Sequence, residues 1–287
     1  MGAVFAALLG LAFGSFLNVC LTRLPVGESI AGPSSHCRDC DHALAWWENL
    51  PLLSWVLLRG RCHECRGWIG VRYPLVELAL GVLWLGCWVR FGPGLFAAGD
   101  LPHQVAHSAV LLVSYAIFTW MLVALAALDA EFFWLPNWIT LPGIVLGFVF
   151  SLLDYHFGYH FDQEKSLSSQ ALGCCLAILA GAGLVLFIRL AYWLVRRKEG
   201  MGLGDAKLMA MLGAWLGFVG AYETFALAIL AASLGALLWL VVSSIRRKTE
   251  GWAQMPLPFG TFLCLTACFE VFYPGWLWNW YSRAFLP

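Results

Sequence analysis

The sequence predicts an all-α polytopic membrane protein, with about eight transmembrane helices and one small cysteine-rich loop domain. Of its 287 residues, 61% are hydrophobic and only 12% are charged, whereas about 25% of residues are charged in ordinary soluble domains. Apolar stretches long enough to cross a bilayer as helices recur along the chain. One long polar loop, between the first two stretches, carries two CxxC motifs.

The spans are stretches of about 17 to 25 mainly apolar residues, the length that matches the hydrocarbon core of a bilayer. The first stretch lacks the basic segment of a cleavable signal peptide, so we expect it to remain in the mature protein; a removed signal peptide is the alternative. The chain then divides into a first transmembrane helix (1–22), a loop domain (23–73) and a transmembrane core (74–287). The predicted spans are residues 2–22, 74–91, 104–128, 138–154, 169–195, 205–221, 223–245 and 257–280.

The basic residues predict the orientation of these spans. Lys and Arg concentrate on the cytoplasmic side of membrane proteins, and most of the 17 here fall on the side that carries the long loop. The loop is therefore predicted to be cytoplasmic, with both chain ends facing away from the cytoplasm. Arg189 is unusual because it lies inside a predicted span. The net charge of zero gives no indication of nucleic-acid binding, so the lipid bilayer is the expected environment.

The loop domain contains a strong metal-binding motif. Its two CxxC pairs are separated by 21 residues, close to the usual interval of a tetrahedral four-thiolate zinc site. A loop of about 50 residues is also too small to stabilise itself by burial alone. Two disulfides are the alternative, but a cytoplasmic loop lies in a reducing compartment. We therefore predict a structural Zn²⁺ site with closed coordination, formed by Cys37, Cys40, Cys62 and Cys65.

Two aspartates lie at the predicted cytoplasmic ends of spans, where an ionised carboxylate is costly and seldom kept without a function. Asp129 closes the third span, just before a Pro-Asn turn at 136–137, and Asp205 opens the sixth span. Gly202 and Gly204 would let the backbone turn tightly and admit another chain close by. Taken singly, each aspartate has a simpler interpretation: Asp205 as a helix N-cap, and Asp129 as a solvated helix end.

Taken together, the two carboxyl groups predict a proton-sharing catalytic pair. Two carboxylates brought close cannot both ionise easily, so one proton becomes shared between them. One group then acts as base on a water while the other donates to a scissile carbonyl oxygen, with no fixed assignment of the two roles. Lys207 could offset the charge of the pair or of a substrate, or serve only as a topological anchor. Glu77, near the same side, is a candidate for a supporting role.

A set of motifs in this order resembles the bacterial type IV prepilin peptidases, the GxGD-type leader peptidases and N-methyltransferases. The resemblance assigns the catalytic aspartates to Asp129 and Asp205 and the zinc ligands to the four cysteines. Asn137 departs from the Asp that many relatives have, which affects local capping and not the catalytic pair. The matching segments are GSFLNVCLTRLP at 14–25, the paired CxxC loop, RYPLVE at 72–77, LDAEFFWLPNWITLPG at 128–143, GLGDAKLMAMLGAWLG at 202–217 and PFG at 258–260.

The resemblance implies a membrane aspartic endopeptidase of the bacterial inner membrane, with its active site facing the cytoplasm. Its substrates would be prepilins or pseudopilins, cleaved at the membrane boundary and then N-methylated with S-adenosylmethionine as methyl donor. Two other classes stay open. A transporter or proton pump would more often place its acids near the midplane of repeated halves. A non-enzymatic zinc scaffold would need the cysteines but not both aspartates.

Overall fold

The computed structural model describes residues 1–32, 34–96, 102–158, 166–198, 200–245 and 257–285. Within those ranges the chain is mainly helical and contains no strand, apart from two isolated bridges in the loop domain. The helices are α1 Gly2–Arg23, α2 Leu53–Leu57, α3 Arg72–Phe91, α4 Pro102–Phe132, α5 Asn137–Phe157, α6 Leu167–Arg196, α7 Leu203–Ile245, α8 Phe259–Phe272 and α9 Trp276–Phe285.

Six helices in the described ranges are long and apolar enough to cross a membrane, by length and composition: α1, α3, α4, α5, α6 and α7. The prediction of an all-α multi-pass membrane protein is therefore confirmed. The count of eight separate spans is not reproduced as such. The sixth and seventh predicted spans both lie in α7, and the eighth covers a shorter helix, α8, and part of α9.

Helix α7 is interrupted at Gly217, whose φ of 69° and ψ of −173° are not helical and suit glycine. Before the break, a Cβ on Gly213 would lie 2.4 Å from the carbonyl oxygen of Ala177 in α6. After the break, the Tyr222 hydroxyl donates to the carbonyl of Ala180, also in α6, at 3.3 Å. In a straight helix, Gly213 and Tyr222 would be about 13.5 Å apart along the axis, so they could not both lie beside residues 177–180 of α6. The two predicted spans are thus antiparallel halves of α7, joined at Gly217 instead of at residue 222.

The predicted eighth span, 257–280, is wrong as a single helix. Helix α8 has 14 residues, and the turn after it is closed by the Glu270 carboxylate, which accepts the N–H of Gly275 at 2.7 Å. Gly275 has a φ of 66°, which prevents a regular continuation. The following helix, α9, is amphipathic, and Glu223 accepts N–H groups from its first turn at 2.9 and 3.2 Å. An amphipathic helix with exposed Trp side chains suits the membrane interface.

Antiparallel packing of the helices brings the functional candidates to one end of the bundle. We call it the aspartate end, because Asp129 and Asp205 lie there; the N-terminus and α9 lie at the opposite end. Helices α6 and α7 approach closely, since a Cβ on Gly181 would lie only 2.5 Å from the Met209 carbonyl oxygen. Helix α4 forms the centre of the bundle, with fully buried side chains such as Phe118.

Candidate active site and metal centre

Asp129 lies in the last turn of α4 and is held by the start of α8. Its Oδ2 accepts the backbone N–H of Thr261 at 2.7 Å and the hydroxyl of the same residue at 3.1 Å. Thr261 is in the first turn of α8, where the free N–H groups and the helix dipole favour a negative charge. The Asp129 residue is only 6% exposed, so the interpretation of a solvated helix end is wrong.

The approach of α8 to Asp129 depends on Gly260. A Cβ at this position would lie 3.0 Å from both Cγ and Oδ2 of Asp129, a distance that real side chains rarely tolerate. The same Cβ would lie 3.1 Å from Cδ1 of Leu135. A side chain at this position would therefore push the start of α8 and the carboxylate apart by a few tenths of an ångström.

Asp205 lies in the first turn of α7 and is partly buried. Its Oδ2 accepts the backbone N–H of Gly202 at 3.2 Å. Since α7 begins at Leu203, Gly202 is the N-cap and Asp205 is the third helical residue, so the predicted N-cap role of Asp205 is wrong by three positions. An acidic side chain at the third position that reaches back to the N-cap N–H is one half of a capping box.

The two aspartates converge although 76 positions separate them in the sequence. Their carboxyl groups lie near each other, and the buried thiol of Cys264, one turn along α8 from Gly260, lies near both. The Leu135 side chain lies against both segments. A Cβ on Gly204 would lie 3.1 Å from the Cβ of Leu135, and a Cβ on Gly260 would lie 3.1 Å from its Cδ1. The start of α7 and the start of α8 thus meet at one side chain beside both carboxyl groups.

The two remaining supporting candidates have other partners. The Nζ of Lys207 donates to Oδ1 of Asn137, the first residue of α5, at 2.7 Å. Glu77 is buried in α3, and its Oε2 accepts the N–H of Leu52 in the loop domain at 2.8 Å. Lys207 thus joins α7 to α5 near the aspartates, whereas Glu77 fastens the loop domain to the membrane helices.

Sequence reasoning missed Gly260 and Thr261 as site residues. The PFG segment at 258–260 carried part of the resemblance, but no chemistry was assigned to it. The missed signal was positional. Pro258 is followed, after one residue, by a glycine and a hydroxyl residue at the start of an apolar stretch. This pattern marks a helix N-terminus that can receive an acid from elsewhere.

The four predicted metal ligands converge in the loop domain. Their sulfur atoms all lie within 4.8 Å of one another, with Cys37 to Cys65 at 3.8 Å and Cys40 to Cys62 at 4.0 Å. Zn–S bonds of about 2.3 Å in a tetrahedron require sulfur separations of about 3.8 Å, so the cluster fits a four-thiolate metal site. A disulfide needs an S–S distance of about 2.05 Å, and all ten cysteines of the chain are free.

The two CxxC segments fold in the same way. The Cys37 N–H donates to the His42 carbonyl at 2.9 Å, and the Cys62 N–H donates to the Gly67 carbonyl at 2.9 Å. Each segment passes through a residue with positive φ four positions after its first cysteine. A Cβ on Gly67 would lie 2.2 Å from Oδ2 of Asp39, so the two segments pack closely against each other at this position.

The histidine of the first CxxC segment has a partner outside the metal site. The Nε2 of His42 lies 3.0 Å from Oε2 of Glu48, which also accepts the N–H of Ala45 at 2.8 Å. The hydrogen bond with Glu48 raises the pKa of His42. Burial alone would raise the pKa of Glu48, but the Ala45 N–H and His42 outweigh it and lower that pKa. Among the described residues, the metal-binding cluster contains no histidine.

The loop domain also contacts the end of the helix that carries Asp129. Arg72, the first residue of α3, pairs with Glu131 at 2.5 Å. Glu131 is two residues beyond Asp129 in α4, and Arg72 is the second-last residue of the loop domain (23–73). The metal-binding loop is therefore connected to the aspartate end both through this ion pair and through Glu77.

Two family models match the chain. The model described as the bacterial Peptidase A24 N-terminal domain matches residues 8–91, from α1 to α3. The model described as the type IV leader peptidase family matches residues 116–241, which include both aspartates. Gly260 and Thr261 lie beyond both matched ranges.

Curated proteins named prepilin leader peptidase/N-methyltransferase are similar over most of the chain. The Myxococcus xanthus protein is 36% identical over 276 residues, which are 95% of this chain and 73% of the relative. The Pseudomonas putida protein is 34% identical over 292 residues, covering 93% and 88% of the two chains. The Aeromonas hydrophila protein is 33% identical over 304 residues, covering 97% and 93%. No solved structure matches the chain.

Proposed function

The chain belongs to the type IV leader peptidase family, and on this premise we propose that Asp129 and Asp205 form the catalytic pair of an aspartic endopeptidase. The enzyme removes the leader peptide of prepilins and N-methylates the new amino-terminal residue. The observation that carries the catalytic assignment is the convergence of the two carboxyl groups between the start of α7 and the start of α8.

The unequal surroundings of the two aspartates support different roles. Asp129 accepts two hydrogen bonds at the start of α8, both stronger for a carboxylate than for a neutral acid. Asp205 accepts one longer bond from Gly202. The single negative charge of the pair therefore belongs on Asp129 and the shared proton on Asp205.

This assignment gives a balanced reaction. Asp129 takes a proton from the attacking water while the water oxygen bonds to the scissile carbonyl carbon, and Asp205 gives its proton to the carbonyl oxygen. When the tetrahedral intermediate breaks down, the proton on Asp129 passes to the leaving amine and the hydroxyl proton returns to Asp205. The C–N bond breaks, and the pair regains its initial charge.

The substrates are proposed to be prepilins or pseudopilins whose cleavage bond reaches the aspartate end at the membrane boundary. The distribution of Lys and Arg supports a cytoplasmic location for this end, in the bacterial inner membrane. Gly204 would allow the first turn of α7 to pack closely against Leu135, and Gly202 supplies the N–H for Asp205. Lys207 would support the site through its hydrogen bond to Asn137 in α5, and Glu77 through its hydrogen bond from Leu52 in the loop domain.

The metal of the loop domain is proposed to be a structural Zn²⁺. Four cysteines complete its coordination, so no position is open for a water or a substrate. Bound zinc would supply folding free energy to residues 23–73, which lack a sizeable apolar core. Methyl transfer requires a methyl donor, which we propose to be S-adenosylmethionine. The core from 74 to 287 would then carry the peptidase.

Single substitutions of the aspartates test the proposal. Asp129→Asn and Asp205→Asn, each in the full-length membrane protein, should abolish cleavage of a leader-bearing prepilin. Glu270→Gln is the matched control, because Glu270 is also a buried acid in the bundle but closes the turn after α8 at the opposite end. Mass spectrometry of the mature substrate would report leader removal and methylation together. Normal cleavage by both Asp variants would overturn the proposal and favour a transporter or a zinc scaffold.

A further inference from the structure

Arg189 is a charged residue in the interior of a membrane-spanning helix. It lies in α6, seven residues before the helix ends, and is partly buried. An arginine within a transmembrane segment is costly and usually serves a function. Neither the proposed catalytic pair nor the metal site uses it.

The guanidinium group of Arg189 binds the loop between α6 and α7. Its Nη1 donates to the carbonyl oxygen of Met201 at 2.8 Å. The N–H of the next residue, Gly202, donates to Oδ2 of Asp205 at 3.2 Å. The Met201 carbonyl and the Gly202 N–H belong to the same planar peptide group. Arg189 and Asp205 therefore hold opposite edges of one peptide group.

We infer that Arg189 is a positioning residue that fixes the Met201–Gly202 peptide group, and through it the carboxyl group of Asp205. The inference rests on the proposed role of Asp205 in cleavage. Two physical effects support it. First, Gly202 has no side chain to restrict rotation of its backbone, so this peptide group needs an external partner to keep its N–H directed at Asp205. Second, a cationic donor on the carbonyl polarises the peptide group and strengthens the hydrogen bond that its N–H makes.

The inferred role predicts which kinetic constant changes. Arg189 acts on the Asp205 carboxyl group through the Met201–Gly202 peptide group. Loss of the guanidinium should leave substrate binding nearly unchanged and misplace Asp205 in the transition state, so kcat should fall about tenfold with little change in KM. A purely structural arginine would instead lower the amount of folded enzyme and leave its kcat unaltered.

The experiment compares Arg189→Met, Arg189→Lys and Arg90→Met in the full-length protein, with kcat per folded enzyme and KM for prepilin cleavage. Arg90→Met is the matched control, because Arg90 also lies at a membrane helix and its Nη1 donates to a backbone carbonyl, that of Phe272, at the opposite end of the bundle. We expect kcat to fall about tenfold in Arg189→Met, to recover partly in Arg189→Lys, which keeps a cationic donor, and to stay normal in Arg90→Met.

The outcomes separate this inference from the proposed function. A kcat within about twofold of wild type in Arg189→Met, with Asp205→Asn inactive, would overturn the inference and leave the catalytic pair standing. Normal cleavage by Asp205→Asn would overturn the proposed function itself. If Arg189→Met does not fold, Arg189→Lys decides: a reduced kcat at unchanged KM supports the inference, and a wild-type kcat refutes it.

Discussion

Replacing Thr261 by valine tests how the start of α8 holds Asp129. Valine has nearly the shape of threonine but no hydroxyl, so the packing of α8 should be kept. The substitution removes the bond of 3.1 Å from the hydroxyl to Oδ2 of Asp129. It leaves the stronger bond of 2.7 Å from the Thr261 backbone N–H. Asp129 should therefore stay in place with a less stabilised charge.

The expected magnitude follows from these contacts. A hydrogen bond to a charged group contributes about 1.5–3 kcal/mol. The value here should lie at the low end, because the single hydroxyl proton of Thr261 is shared with the Ala126 carbonyl, also at 3.1 Å. A loss of about 1.5 kcal/mol corresponds to about a tenfold lower kcat. The effect should be largest at low pH, since a less stabilised carboxylate is protonated more readily.

The assay is cleavage of a purified prepilin by the full-length enzyme in lipid vesicles across a range of pH. Thr261→Ser is the matched control, because serine keeps the hydroxyl and should retain activity within about threefold of wild type, a change of less than about 1 kcal/mol. The role that we give to the start of α8 would be refuted if Thr261→Val kept the wild-type kcat and the wild-type fall in activity at low pH while Asp129→Asn was inactive.

Three further predictions concern the glycines and the loop domain. Gly204→Ala should lower activity more than Gly202→Ala, because a Cβ would lie 3.1 Å from Leu135 at the first position and 3.4 Å from its nearest neighbour at the second; equal activities would contradict this. Removal of the metal by a strong chelator should increase hydrogen exchange in the loop domain and impair methylation more than cleavage, and the reverse order would mean that the loop mainly positions the substrate. Glu48 raises the pKa of His42, so the protonated His42–Glu48 pair stabilises the folded loop domain. This contribution is fully present below the ordinary His pKa of about 6.5 and is lost as the pH rises through the raised pKa. Glu48→Gln should therefore increase loop exchange more at about pH 6 than at about pH 8, and an equal effect would exclude this pairing.

Local sequence patterns predicted the parts of the molecule that depend on short-range spacing. The two CxxC segments identify their four ligands because each turn fixes two cysteines at once. The aspartates were recognised because a carboxylate at the end of an apolar stretch is unusual in any arrangement. The apolar stretches likewise gave six long helices, with ends near the expected positions.

Long-range contacts could not be predicted in this way. Thr261 meets Asp129 across 132 residues, and nothing in the neighbourhood of either residue specifies the other. The interruption at Gly217 was misplaced because the hydrophobicity of α7 continues through it. Lys207 was considered as a partner of the aspartates, but its hydrogen bond to Asn137 depends on how α5 and α7 pack.

Two of the helices that start beside the aspartates are short. Residues 203–216 of α7 and the 14 residues of α8 each extend about 21 Å at a rise of 1.5 Å per residue. The hydrocarbon layer of a bilayer is about 30 Å thick, so neither helix alone spans it, and the carboxyl groups at their starts can lie recessed among the longer helices α4 and α6. Water for hydrolysis can then reach a bond that lies below the average level of the headgroups. A bilayer of longer acyl chains should slow the enzyme by burying that bond more deeply.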